Sequence, residues 1–343
     1  MKKIFMLVDY KDNFTSKYNA LPYRSGMDKE LLKKYFKDRN YEIDIKNFSD
    51  IDFREDKFEN IPIVYTSPEC KGMFYKRYVE DIILGLELKG INIIPKYKYL
   101  RAQDNKVFME ILRDVSPLSE LKTITTNHFG TYEEFEKVED DFTEDRYVIK
   151  ASEGAMSSGV ELSKNKQDLK NKIKILSATK NIKYDIKDML RAFKHKGYIK
   201  ESIHRKKFII QNFIPDLKND WKIIIFGDRY YMFYRATRDN DFRASGSKKF
   251  TFNDKLPIPD GIFDFAKKTF DSFDAPHLSL DVVFDGKNFH VIEFQFLFFG
   301  TIGHTKSESY FKIINNKWER IYEKLDLEKV YVDAIVNYLE DKH

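Results

Sequence analysis

Residues 278–295 read LSLDVVFDGKNFHVIEFQ, and the fold is decided there. Two apolar runs flank Asp285-Gly286, a dipeptide that turns a hairpin readily because glycine takes positive φ without a steric penalty. The pattern predicts strands over 278–284 and 289–295, and Phe226-Gly227-Asp228-Arg229 predicts a second tight hairpin between strands over 221–226 and 230–236. Asp281 lies on the 278–284 strand, Glu293 and Gln295 on the 289–295 strand. Residues two apart on a strand share a face, so Glu293 and Gln295 project together and Asp281 can join them across the ladder. Val282, Val283, Val291, Ile292, Phe294 and Phe296 surround them. In such apolar company a carboxylate is costly unless paired or metal-bound. Two carboxylates and an amide oxygen make a hard-oxygen set suited to magnesium.

Three stretches upstream carry polar chemistry on the same kind of framework. Residues 234–249, YRATRDNDFRASGSKK, gather Arg235, Arg238 and Arg243; guanidinium forks grip phosphates or carboxylates, although a charged surface loop has the same look. Residues 208–222, FIIQNFIPDLKNDWK, give an apolar strand ending in Gln211-Asn212-Phe213-Ile214 before Pro215. Backbone groups at such a strand end can bond a purine edge, and Phe213 offers an apolar seat. Asp220 and Lys222 then share one face of the next strand and could meet ribose and phosphate, or simply face solvent. Residues 147–161, YVIKASEGAMSSGVE, present Lys150 on a strand followed by a loop rich in small residues. Small side chains let backbone N–H groups approach a polyphosphate, though the spacing is neither a Walker loop nor a dinucleotide fingerprint.

The first hundred residues alternate strand and helix: 3–9, 28–38, 41–45, 61–66, 75–88 and 91–95. That alternation implies a small parallel sheet with helices on its faces, and ligands then sit beyond the carboxyl ends of the strands. Two loops lie there, 10–27 and 67–72; the first carries Tyr10, Lys11, Asn13, Tyr23, Arg24 and Ser25 and could hold a polar substrate. A further helix is expected over 101–114 and an amphipathic one over 330–339.

Composition sets the outer bounds. At 343 residues, 42% hydrophobic and 34% charged, the chain can bury a sizeable core and has no apolar run long enough to span a bilayer, so no membrane partner is expected. The net charge of +5 says little about nucleic acid, which is disfavoured as a partner; the 164–207 segment, with 15 basic and 4 acidic residues, is the one lopsided stretch. A single cysteine, Cys70, cannot form an internal disulfide, which suits a cytoplasmic setting. The histidines, His304 included, lack the paired spacing of zinc ligands.

In their order, these pieces resemble the ATP-grasp superfamily, and within it the branch of carboxylate–amine ligases that add glutamate. The resemblance covers roughly residues 100–300 and includes Lys106 in Asp104-Asn105-Lys106. It implies an α/β (α+β) fold: an N-terminal parallel α/β domain, 1–100, then two α+β subdomains, 101–214 and 215–343, enclosing the nucleotide. It also implies roles. Lys106 and Lys150 would bind ATP phosphates beneath a mobile loop containing Glu153, Gly154, Ser157, Ser158 and Gly159. Gln211, Asn212 and Phe213 would bind adenine, with Asp220 near the ribose. Lys222, Arg235 and Arg243 would act at the reacting centre, and Asp281, Glu293 and Gln295 would hold Mg2+. The partners would be a small-molecule or peptide carboxylate and an amine acceptor, with homo-oligomer formation left open.

Two departures stand out. Gln295 replaces the family's usual Asn, and the following run, Phe296-Leu297-Phe298-Phe299-Gly300-Thr301, is bulky and apolar where a small polar loop is common. An ATP-grasp small-molecule kinase and a non-enzymatic nucleotide-dependent binding protein are the competing readings.

Overall fold

The computed structural model describes residues 1–55, 58–67, 71–154, 159–237, 241–244, 249–252 and 256–341. The N-terminal alternation becomes β1 (Lys2–Val8), α1 (Lys29–Asp38), β2 (Tyr41–Asn47), β3 (Ile63–Tyr65), α2 (Phe74–Leu88), β4 (Ile93–Ile94) and α3 (Tyr97–Ala102). Its four strands are parallel in the order β2-β1-β3-β4. Asp28 starts α1 by accepting the amides of Glu30 and Leu31, the usual work of an N-cap carboxylate.

The helix expected over 101–114 is instead two, because α3 ends before Gln103 and α4 (Lys106–Asp114) restarts behind a second N-cap, Asn105. Next come β5 (Thr126–Phe129), α5 (Tyr132–Glu136), β6 (Tyr147–Ala151), β7 (Val160–Leu162), α6 (Lys166–Ser177), α7 (Ile182–Lys194) and β8 (Phe208–Asn212). Here the sheet is antiparallel, ordered β5-β8-β6-β7. Tyr132, Phe135, Phe142, Ile149, Leu169, Ile173, Phe208 and Ile210 make its core, and α6 supplies Leu169 and Ile173 at helical spacing.

The remainder is β9 (Asn219–Phe226), β10 (Arg229–Ala236), β11 (Phe250–Thr251), α8 (Ile262–Asp271), β12 (His277–Phe284), β13 (Phe289–Gln295), α9 (Ile302–Lys306), β14 (Tyr310–Ile314), β15 (Lys317–Ile321) and α10 (Leu327–Glu340). One seven-stranded sheet runs β13-β12-β9-β10-β14-β15, with β11 on β10. Gly227 (φ +57°) and Gly286 (φ +94°) make the tight turns of the two hairpins expected from sequence. Of the described chain, residues 1–103, 116–121 and 217–343 form one unit, and 104–115 and 122–216 the other.

The first unit has a large buried core cluster. Ile4, Met6 and Val8 from β1, Phe36 from α1, Ile224 and Phe226 from β9, and Val330, Tyr331, Ile335 and Val336 from α10 belong to it. The expected amphipathic character of the last helix is thus incomplete: α10 buries residues nearly all round, including Glu328 and Asp333. Helices buried on every side read as apolar all round, and here the two acids are ion-paired, Glu328 to Lys17 and Asp333 to Arg39, Arg229 and Lys329.

His304, on α9, is packed in this core edge-on to Tyr231 and Phe226. Burial pushes its pKa down to about 4, helped by Lys324 and Lys17 and opposed by a hydrogen bond to the backbone of Leu325 and by Asp326. It is therefore a neutral packing residue. The unfolded chain takes up this proton near pH 6.5 whereas the native one waits until about 4. The neutral ring's contribution is thus full above pH 6.5 and is lost as pH falls towards 4. Thermal melts at about pH 7.5 and about pH 5 should show a smaller acid loss in His304→Gln than in the parent, by on the order of 1–2 kcal/mol. Equal losses in the two proteins would contradict the assignment.

Candidate active site

Strand register alone assembles the charges of the large sheet. Asp220 stands opposite Arg235 on β10, and Lys222, two residues along the same face of β9, stands opposite Asp281 on β12. Asp281 in turn faces Glu293 on β13. The four inner groups close into a network. Lys222 Nζ donates to Asp281 Oδ1 at 2.9 Å, and Arg235 Nη2 lies 2.7 Å from Asp281 Oδ2. Arg235 also donates Nε and Nη2 to the two oxygens of Asp220. All four are buried, and two positive charges answer two negative ones.

The carboxylates are not equivalent. Burial raises Asp220 to about 6, with Asp281 adding to the shift and Arg235 opposing it. Burial would raise Asp281 as well, but Arg235 and Lys222 together hold it down at about 2. Asp281 is the fixed anion of the group. Asp220, with both oxygens on Arg235, is turned into the network, and so is Arg235 itself.

Next to the network lies an oxygen-rich strip. Gln295 Nε2 donates to Glu293 Oε1 at 3.0 Å. Ser279 stands opposite Gln295 and shares the face of Asp281; its hydroxyl is 1% exposed and has no hydrogen-bond partner among the described residues. A register shift between Asp281 and Val282 marks a β-bulge at this point, a device that re-aims side chains beside functional sites. Sequence inspection missed both: the bulge has no local signature, and a serine between leucines reads as filler. An orphaned buried hydroxyl beside two carboxylates and an amide is what a hard divalent cation would satisfy, so the residues fit magnesium. Glu293 and Gln295, both partly exposed, are the available ligands, whereas Asp281 already carries two cations.

In the other unit, Asn105 is the organiser. Its Oδ1 accepts from the Phe108 amide, capping α4, and also from Ser152 Oγ and Lys207 Nζ. The amide of Lys106 donates to Ser152 O, and Lys106 Nζ donates to Gly154 O at 2.7 Å. The start of the Gly/Ser loop is thereby held to the start of α4. Lys150 lies half-buried on β6, opposite Val160 and Ile209. Gly159 closes the loop at φ +71°, where a Cβ would come 3.0 Å from Ala151 Cβ. Glu153 and Gly154 are exposed, and Ser157 and Ser158, like Arg238 and Cys70, lie outside the described residues.

The strand-end residues divide. Gln211 is buried, donating to Glu110 Oε1 and Thr126 Oγ1 above the buried Glu110–Arg113 pair. Asn212 Nδ2 donates to Glu144 Oε1. Phe213 is half-buried with the Arg146 guanidinium 4.2 Å from its ring centre, so its plane sits in a cationic setting. Arg243 is half-buried and donates to Asp241 through Nε and Nη2. Among the described residues no group of three His, Cys, Asp or Glu side chains is arranged to hold a metal, which leaves the mixed carboxylate–amide strip as the candidate.

No family model matches the sequence, and no curated protein does. Solved structures do resemble it. A RimK-domain ATP-grasp protein from Sphaerobacter thermophilus is 10% identical, with 97% of this chain and 99% of that one covered and a TM-score of 0.51. D-cycloserine synthetase is 11% identical over 98% and 99%, with a TM-score of 0.55. A RiPP-associated ATP-grasp ligase from Chryseobacterium gregarium, solved with ADP and a leader and core peptide, is 14% identical over 100% and 98%, with a TM-score of 0.55. At such identities the likeness is one of fold.

The network makes its own prediction. Removing Arg235 leaves Asp220 and half of Asp281 as buried, uncompensated charge, so Arg235→Met should cost about 3–5 kcal/mol in urea unfolding. Asp220→Asn, which keeps a hydrogen-bond acceptor, should cost clearly less. Equal stabilities for parent and Arg235→Met would show that the ion pairs are not formed in solution.

Proposed function

We propose that this chain, which has the ATP-grasp fold, is an ATP-dependent carboxylate–amine ligase that forms an amide or peptide bond through an acyl phosphate. The observation that carries the reading is the strip on β12 and β13, where Glu293, Gln295 and a Ser279 hydroxyl without a partner among the described residues lie beside a charge-balanced network on the same sheet.

Each residue then has a task. Lys106 and Lys150 offer ammonium groups to ATP phosphates, and the loop from Glu153 to Gly159 covers them and excludes water. Phe213, with the chain at the end of β8, seats the adenine. Magnesium held by Glu293 and Gln295, against the negative field of Asp281, would neutralise phosphoryl oxygens. Lys222 and Arg235 position Asp281 and balance its charge, and Asp220 holds Arg235 in place. Arg243 stabilises the oxyanion of the tetrahedral intermediate.

In the first step a substrate carboxylate oxygen attacks the γ-phosphorus and ADP leaves, giving the acyl phosphate. In the second an amine attacks the acyl carbon, phosphate leaves and the amine loses its proton. The similar structure from Chryseobacterium gregarium, holding ADP with leader and core peptides, supports the extension to ADP and ATP here and to a peptide or small-molecule carboxylate as substrate.

Incubation with ATP, magnesium and a panel of amino acids, small peptides and sugar acids should release ADP and inorganic phosphate only when two co-substrates are present. Release of ADP with a single co-substrate, phosphate staying on the product, would identify a kinase instead. Glu293→Ala should remain folded and lose ATP-dependent turnover; normal ADP production by that variant would overturn the metal assignment.

A further inference from the structure

Helix α7 (Ile182–Lys194) is turned inside out relative to an ordinary surface helix, and none of its residues has a task in the proposed nucleotide chemistry. Ile182, Ile186, Met189, Leu190 and Phe193 recur at i, i+4, i+7, i+8 and i+11, which places them on one stripe. A surface helix normally packs such a stripe against its core. Here all five are exposed, 76% for Ile182 and 93% for Phe193. The residues of α7 that turn inward are Asp185, Asp188 and Ala192 instead.

That inner face is polar, and its groups are satisfied by the chain itself. Asp188 accepts from Tyr198 Oη at 2.5 Å and from the Glu201 amide at 2.8 Å. Asp185 accepts from the Asn181 amide, while Asn181 Oδ1 accepts from the Tyr184 amide and caps the helix. These bonds tie α7 to the segment that follows it and fix the direction in which its apolar stripe points. Five large apolar side chains left in water forgo the main source of folding energy, and a patch of that kind marks a surface that meets something apolar.

The charge beside the stripe sets what that something is. Lys183, Lys187, Arg191 and Lys194 form the neighbouring stripe, and all four are exposed. Between 180 and 200 the chain carries seven basic residues and two acidic ones, and the two acids are the inward Asp185 and Asp188. Arg191 lies 3.8 Å from Asp188, whereas the three lysines have no ion pair among the described residues. The occupant is therefore apolar and anionic together. A second copy fits poorly, because its own α7 brings the same basic edge and no row of acids to answer it.

A lipid surface fits better than a folded protein, for two reasons. Three of the four cations are lysines, flexible point charges suited to a fluid array of phosphates, whereas fixed carboxylates are matched best by arginine forks. The apolar and basic stripes also leave only one narrow side of a convex helix to the rest of the chain, the geometry of a helix lying in a membrane interface with its cations at headgroup level. Among the described residues no helix is long and apolar enough to cross a membrane, and an interfacial helix needs no such length.

We infer that α7 docks on an anionic phospholipid surface, its apolar stripe among the acyl chains and its lysines on the headgroup phosphates. Neither stripe belongs to the proposed nucleotide site, so this surface stands apart from the ligase reading.

Flotation of the full chain with vesicles of phosphatidylcholine alone, and of phosphatidylcholine mixed with phosphatidylserine, tests this. The mixed vesicles should carry the protein and the neutral ones should not, and added salt should weaken the binding. Lys183→Gln, Lys187→Gln and Lys194→Gln combined should weaken it by about a hundredfold, since each lysine near an anionic surface contributes roughly fivefold. Leu190→Ser with Phe193→Ser should weaken it by about tenfold or more. Both variants should melt with the parent, because every substituted side chain is exposed. Absence of binding to the mixed vesicles, or equal binding to both kinds, would overturn the inference. Unchanged binding in the Leu190/Phe193 variant would overturn it too, by reducing the contact to bulk charge. A soluble helical peptide of glutamate and leucine, titrated in parallel, covers the protein alternative. Its capture by the parent, with no flotation on mixed vesicles, would assign the stripe to an acidic protein partner instead.

Discussion

Two buried carboxylates and two buried cations on three neighbouring strands constrain the large sheet more than any other feature. Asp220, Lys222, Arg235 and Asp281 meet only if β9 is flanked by β10 and β12 in the observed register, since a slip of one residue would send every partner to the opposite face. Buried ion pairs are a weak source of net stability because desolvation offsets most of the attraction. Their effect here is to fix register and to leave Asp281 ionised at a point where β13 presents Glu293 and Gln295. The bulge beside Asp281 and the unpaired Ser279 hydroxyl belong to the same local arrangement. A chemistry of migrating phosphoryl charge calls for such a floor, in which the counter-charges are already in place and need no rearrangement.

In the smaller unit the same logic works through one neutral side chain. Asn105 caps α4 and at the same time accepts from Ser152 and Lys207, so the helix start, the Gly/Ser loop and the end of the basic insertion share one acceptor. Lys106 is the first residue of that helix, and its ammonium donates to the carbonyl of Gly154. Under the proposed function, that bond would be exchanged for one to a phosphate oxygen when nucleotide binds. The basic 164–207 segment carries a helix, α7, with Ile182, Met189, Leu190 and Phe193 exposed.

What could be read from sequence was local. The Gly227 and Gly286 turns and the flanking apolar runs gave β9, β10, β12 and β13 to within two residues, because hairpin chemistry is written in adjacent positions. The β14–β15 hairpin was missed although Asn315-Asn316, both at positive φ, carried a turn signal, because its strands are half-polar and alternate weakly. β5 and α5 were missed because they are short, four and five residues. In the candidate site, the residue types and the shared face of Glu293 and Gln295 were legible. That Asp220 and Lys222 turn inward was not, since their partners lie 15 and 59 positions away and only the register brings them together. Likewise the loop after β1 was marked as a ligand site by topology, but its closure by Phe299, Thr301 and Glu328 comes from about 300 residues further along the chain.

The central claim is that the sheet strip on β12 and β13 takes a divalent cation together with a nucleotide. Calorimetric titration of the whole chain with ATP, in magnesium and again after chelation, tests it most directly. Saturable binding that weakens sharply once magnesium is removed is the result expected. Absence of saturable binding in magnesium, or the same affinity in its absence, would contradict it.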